Sequence, residues 1–117
     1  MELNKVVIVG AVRTPIGSLG GGLASVLAQP LATHAIEAAL SQAKVDAKAV
    51  EYTVMGWVMQ DPRCPNIAKT AAEQAGVPAT SPGTTIHENC ASGGAAIHSL
   101  ARRLMLGELS LGVAGGV

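Results

Sequence analysis

The sequence predicts an α/β fold with a largely parallel sheet, on three observations. Short β-prone runs alternate with stretches of helical spacing along the whole chain. The first of these runs, Val6-Val7-Ile8-Val9, is continuously apolar, the pattern of a strand covered on both faces. Gly or Pro punctuates the ends of the helical stretches, where a helix must stop.

Taken in order, Val6–Val9 reads as the first strand, closed by Gly10. Arg13-Thr14-Pro15-Ile16-Gly17-Ser18-Leu19-Gly20-Gly21-Gly22 reads as a loop by its Pro and Gly content. Pro30 suits the first turn of a helix reaching Ala43, with Leu31, Ala35, Ala38 and Ala39 at helical spacing and Glu37 and Gln42 for the wet side. Tyr52–Met59 is a second strand, broken by Asp61-Pro62-Arg63-Cys64-Pro65. A helix over Asn66–Ala75 stops at Gly76, with Pro78 just beyond. Gly83–Glu88 is the third strand. The following helix carries Ile97, Leu100, Ala101 and Leu104 on one stripe, is capped by Gly107, and leads to a fourth strand over Leu109–Ala114. No internal repeat, low-complexity tract or interdomain linker interrupts this pattern.

Composition narrows the function classes. The 117 residues suit one domain with one core. Hydrophobic residues make up 49% and the mean hydropathy is +0.38, which places the chain among packed globular sequences. Eight basic residues balance eight acidic ones, so nothing points to nucleic acid or an anionic membrane as partner. With one Trp, one Tyr and no Phe, the core must be built from Val, Ile, Leu and Ala. No apolar run reaches the ~18 residues of a membrane span, and Met1-Glu2-Leu3-Asn4-Lys5 lacks the basic region of a signal peptide. Cys64 and Cys90 form neither a disulfide framework nor a zinc pattern, so no metal is expected and a reducing cytoplasm is the default compartment. The sequence ends at Gly115-Gly116-Val117, directly after a buried-type strand. Ligand-binding loops lie beyond such strand ends, so it reads as stopping within a domain.

Cys90 is the candidate that carries chemistry. It lies in Thr84-Thr85-Ile86-His87-Glu88-Asn89-Cys90-Ala91-Ser92-Gly93-Gly94, where a β-prone stretch passes into small residues that open a helix. A strand before it fixes the sulfur, the small residues leave room for a substrate, and the positive end of a helix favours a thiolate. The backbone N–H of Cys90 at that helix start would serve as one oxyanion donor. From spacing alone a second reading stands beside this one: most free cysteines are small buried hydrophobes.

The other candidates are weaker. Gly17–Gly22 follows neither nucleotide-binding glycine pattern and reads as a structural loop. In an extended strand His87 and Cys90 point to opposite faces, so a packing or hydrogen-bonding role suits His87 better than a direct Cys–His dyad. His34 and His98 read as structural, and Cys64 as incidental.

Three segments together resemble the N-terminal portion of the thiolase family, the acetyl-CoA acetyltransferases and 3-ketoacyl-CoA thiolases. They are Val12-Arg13-Thr14-Pro15-Ile16-Gly17-Ser18-Leu19-Gly20-Gly21, then Asn89-Cys90-Ala91-Ser92-Gly93, then Gly107-Glu108 through Val113-Ala114-Gly115-Gly116. The likeness runs over essentially the whole chain, in family order. It implies the family's layered fold, here as an incomplete N-terminal half with helices on both faces of the sheet. Residues 1–117 would be a partial N-terminal domain that ends before the loop domain and the C-terminal domain.

The same resemblance implies an acyltransferase of fatty-acid metabolism. Cys90 would accept an acyl group from acyl-CoA as a thioester, and a second acyl-CoA, deprotonated at Cα, would condense with it; thiolysis of 3-ketoacyl-CoA is the reverse. Coenzyme A thioesters would be substrates, with no permanently bound cofactor, and the full-length family implies a homo-oligomer. The family's activating histidine, second acid/base cysteine, Asn-containing oxyanion motif and most of its CoA-binding loop match nothing here, so no CoA-binding residue is assigned. The fragment alone is expected to be inactive.

The sequence departs from the family pattern at three places: His87 where Asn is common, Gly94 where a larger apolar residue is usual, and the loop Gln60–Asn66. Two alternatives remain open from the residues: a non-catalytic α/β interaction module with an inert Cys90, and a ketoacyl-synthase-like condensing enzyme. The Arg13-Thr14-Pro15-Ile16-Gly17 segment favours a thiolase over the latter.

Overall fold

A computed structural model describes residues 1–117. Its regular elements are helix α1 (Ala28–Ala43), strand β1 (Tyr52–Gly56), helix α2 (Ile67–Gln74), strand β2 (Gly83–Ile86), helix α3 (Ser92–Met105) and strand β3 (Gly112–Gly116), with a short 3-10 turn at Ala47–Ala49. The three strands form one parallel sheet in the order β2-β1-β3. This is the α/β architecture that the alternation of patterns predicts.

Strand β1 is central and sorts its side chains by face. Val54 packs with Ala96 and Leu100 of α3, while Met55 and Trp57 join Ile36 and Leu40 of α1 and Ile67, Ala68, Ala71 and Ala72 of α2. Helices therefore cover both faces, and the period-2 alternation of a strand decides which residue meets which helix. Val54 and Ile67 are fully buried, and each contributes roughly 1.5–3 kcal/mol by leaving water.

The helix ends follow from local chemistry. Asn66 caps α2: its Oδ1 accepts the Lys69 N–H (3.3 Å) and the Thr85 hydroxyl (2.8 Å), and its Nδ2 donates to the Gly83 carbonyl. One side chain thus starts the helix and docks it on β2. Gly76 and Gly107 take left-handed backbone (φ 93° and 73°) just past α2 and α3, as their positions predict.

Several expectations are corrected. Val6–Val9 is not a paired strand: it carries no regular secondary structure, and Val7, Ile8 and Val9 are 64%, 78% and 59% exposed. The segment is tied down only at its ends, where the Asn4 N–H donates to the Met105 carbonyl and the Ala11 N–H to Gln42 Oε1. A groove of about 1340 Å³ separates it from β3, so no ladder reaches it.

The same groove explains the helix faces. On α1 the buried residues are Ala32, Ile36 and Leu40, whereas Leu31, Ala35 and Ala39 line the groove half-buried. On α3 the core stripe is Ser92, Ala96 and Leu100, with Ile97 48% exposed towards the groove.

The strands are also shorter than predicted. β1 stops at Gly56, and the last neighbours of its ladder are Ile86 and Gly116. β3 begins three residues late because Glu51 Oε1 accepts the N–H groups of both Ser110 and Leu111, which withholds them from the ladder. β2 stops at Ile86, and the chain turns through His87–Ala91 to α3.

Candidate functional site

The turn after β2 places Cys90 at the carboxyl end of the parallel sheet, two residues before the first residue of α3. Cys90 is exposed within residues 1–117. Two backbone hydrogen bonds close the turn around it, Ala91 N–H to Glu88 O (3.0 Å) and Ser92 N–H to Asn89 O (3.1 Å). Asn89 adopts left-handed backbone (φ 51°), a conformation that Asn tolerates better than branched residues do.

Side chains brace the same turn. The buried Ser92 hydroxyl accepts the Glu88 N–H at 2.9 Å and donates to the Asn89 carbonyl at 2.7 Å. His87 Nδ1 accepts the Asn89 N–H at 3.3 Å. None of these hydrogen bonds uses the N–H of Cys90. No hydrogen bond joins His87 to Cys90, so the imidazole holds the turn and no Cys–His dyad forms.

The strand ends admit the helix start because they are glycine. A Cβ at Gly56 would lie 2.5 Å from the Ser92 carbonyl oxygen and 2.6 Å from the Gly93 nitrogen. The first turn of α3 therefore rests on the backbone of β1, and the sulfur is held from two sides: by the turn that precedes it and the helix that follows.

The remaining candidates lie elsewhere. His34 and His98 are exposed on α1 and α3. Cys64 lies in the loop before α2, as the sequence predicts, and its side chain is 9% exposed, packed in the core cluster with Trp57 and Ala28. Beside it, Asp61 and Arg63 form a fork-shaped pair in which Nε donates to both carboxylate oxygens at 3.0 Å. That hydrogen bonding holds the Asp61 carboxyl down at about 2 and raises the Arg63 guanidinium. Leu27, Ala28, Gln29 and Trp57 join the pair and Cys64 around a small cavity of about 150 Å³.

No group of three His, Cys, Asp or Glu side chains is placed to hold a metal ion, and no helix is long and apolar enough to cross a membrane. The sequence reading treats Ser92 only as small and does not single out Gly56. The available signal was a Ser two residues after the cysteine, at the entry to a helix.

A parallel sheet with helices on both faces, and an exposed cysteine between a strand end and a glycine-cradled helix start, defines an α/β protein with an accessible thiol at the carboxyl edge of its sheet. A family model described as "Thiolase, N-terminal domain" matches residues 6–117, and the chain belongs to the thiolase family. It is 43% identical over 115 residues to the mitochondrial acetyl-CoA acetyltransferase of Mus musculus, covering 98% of this chain and 27% of that protein. It is 40% identical over 114 residues to the acetyl-CoA acetyltransferase of Cupriavidus necator, covering 97% of this chain and 29% of that protein. The crystal structure of the Bacillus anthracis acetyl-CoA acetyltransferase superposes with a TM-score of 0.95 at 40% identity, covering 99% of this chain and 29% of that one. The chain thus spans well under a third of the length of these relatives and corresponds to an N-terminal thiolase portion.

Proposed function

We propose that Cys90 is the acyl-accepting nucleophile of a thiolase-type acyltransferase that works on coenzyme A thioesters. The observation that carries this reading is the exposed sulfur in a braced turn between a parallel strand and a helix start. In this scheme the Cys90 thiolate attacks the carbonyl carbon of an acyl-CoA. A carbon–sulfur bond forms to Cys90, the bond to coenzyme A breaks, and coenzyme A leaves as its thiol with the proton that Cys90 gives up. A second acyl-CoA, deprotonated at Cα, then attacks the enzyme thioester; a carbon–carbon bond forms and Cys90 is released. Thiolysis runs the same bonds backwards.

The N–H of Cys90 serves as one donor to the oxyanion of the first addition, consistent with its absence from the bonds that close the turn. The reading requires no resident cofactor. It takes residues 1–117 as a partial N-terminal domain, lacking the activating base and the CoA pocket, in a cytoplasmic enzyme whose full-length form is a homo-oligomer. The named relatives include mitochondrial proteins as well as bacterial ones.

Alkylation tests the nucleophile. Near neutral pH, iodoacetamide should modify Cys90 faster than it modifies glutathione, a free thiol that burial does not protect as it protects Cys64; a rate no faster than that of glutathione would reject the reading in favour of a non-catalytic module. Turnover tests the division of labour: the 117 residues alone should not cleave acetoacetyl-CoA. Cleavage by purified chain, abolished in Cys90→Ser, would show that they carry a complete site.

A further inference from the structure

We infer that Ser92 is the positioning residue of the Cys90 turn, an assignment that rests on Cys90 being the nucleophile. Ser92 is 5% exposed, and its hydroxyl makes two hydrogen bonds: it accepts the Glu88 N–H and donates to the Asn89 carbonyl. Both partners immediately precede Cys90, and Ser92 itself stands two residues after it. One side chain therefore clips together the chain on both sides of the sulfur.

The direction of these bonds separates this role from ordinary helix capping. A capping hydroxyl accepts amides inside the first turn of the helix. The start of α3 has no side-chain cap, and the Ser92 hydroxyl faces backwards into the turn. The bond supplies an acceptor for the Glu88 amide and holds Asn89 in its left-handed conformation. The Ser92 backbone rests in turn on Gly56 at the end of the central strand. The position of Cys90 is thus referred to the most buried strand of the sheet through Ser92. His87, exposed and bonded at 3.3 Å, is a secondary brace.

The test compares iodoacetamide rates at Cys90 in the chain and its Ser92→Ala and Ser92→Thr variants, with Cys64 as internal reference and circular dichroism as a fold check. Ser92→Ala should slow Cys90 by about tenfold, the equivalent of one or two hydrogen bonds, with Cys64 still protected. Ser92→Thr, which keeps the hydroxyl, should restore most of the rate. A folded Ser92→Ala chain whose Cys90 keeps the wild-type rate overturns the assignment, as does a Thr variant slowed as much as the Ala variant. If Ser92→Ala also exposes Cys64, amide exchange in the wild-type chain decides. A Glu88 N–H as protected as that of Ala96 supports the clip, and a freely exchanging one overturns it. A wild-type Cys90 no faster than glutathione is a different result: it rejects the nucleophile reading and takes the positioning role with it.

Discussion

Gly56 and Ser92 meet backbone to backbone: a single added carbon at Gly56 would stand 2.5 Å from the Ser92 carbonyl oxygen. The contact joins the end of the central strand to the first residue of the helix after Cys90. It makes the geometry at the sulfur depend on a residue 34 positions earlier in the chain. A side chain at this point has nowhere to go, because its neighbours are backbone atoms that cannot rotate aside.

Gly56→Ala should therefore displace the start of α3. Overpacking of this kind costs about 1–3 kcal/mol, so the urea midpoint should fall and Cys90 alkylation should slow together. A Gly56→Ala chain with unchanged midpoint and unchanged Cys90 rate would show that the strand end does not carry the helix.

Gly94 is the opposite case. It lies inside α3, is exposed, has ordinary helical backbone, and a Cβ there meets no atom within 4 Å. Gly94→Ala removes the entropic penalty of glycine in a helix without crowding anything, and should stabilise the chain by about 0.5–1 kcal/mol. The check is the urea midpoint, where a decrease would mean that an open position at Gly94 is needed for packing not visible in the contacts.

These two glycines mark how far the sequence is legible. Alternation of strand and helix patterns, Gly76 and Gly107 as helix stops, and Cys90 at a strand–helix junction are local signals, read within a few residues. The boundaries depend on distant partners. The start of β3 is set by Glu51, whose carboxylate takes the Ser110 and Leu111 amides, and no local pattern reveals that. Val6–Val9 has the composition of a doubly covered strand, yet its pairing requires a neighbour that the groove does not supply. The helix stripes shifted for the same reason: Leu31 and Ile97 have the periodicity of core residues but face the groove. At the site, the role of Ser92 arises only once the turn is folded, because both of its partners lie earlier in the chain.

The Asp61–Arg63 pair gives a pH prediction with a definite sign. Hydrogen bonding to Arg63 lowers the Asp61 carboxyl from 3.8 to about 2, so the folded form favours the ionised state. Its contribution is present above the unfolded value and is lost as pH falls through about 2. Carbon-13 NMR of the Asp61 carboxyl should show a midpoint well below the ordinary range, and Arg63→Gln should bring it back towards that range. A normal midpoint in the unmodified chain would refute the pairing. Both groups are open to solvent, so the effect on stability should be small.

The exposed Val7-Ile8-Val9 run is the feature with the greatest consequence for handling the protein. It combines high β-propensity, no charge and no proline with an open backbone, the profile of a segment that recruits other strands. Beside it the groove presents further apolar side chains from α1, α3 and β3. The chain should therefore bind a hydrophobic dye and associate as concentration rises, both measurable by fluorescence and sedimentation velocity. Ile8 is 78% exposed, so replacing it with a charge removes little packing. Ile8→Lys should weaken association while changing the unfolding free energy by no more than about 0.5 kcal/mol, as surface substitutions usually do. A large loss of stability would instead mean that Ile8 is packed in solution, with the groove closed over it. Association unaffected by the lysine would move the sticky surface away from this segment, to the groove walls of α1 and α3.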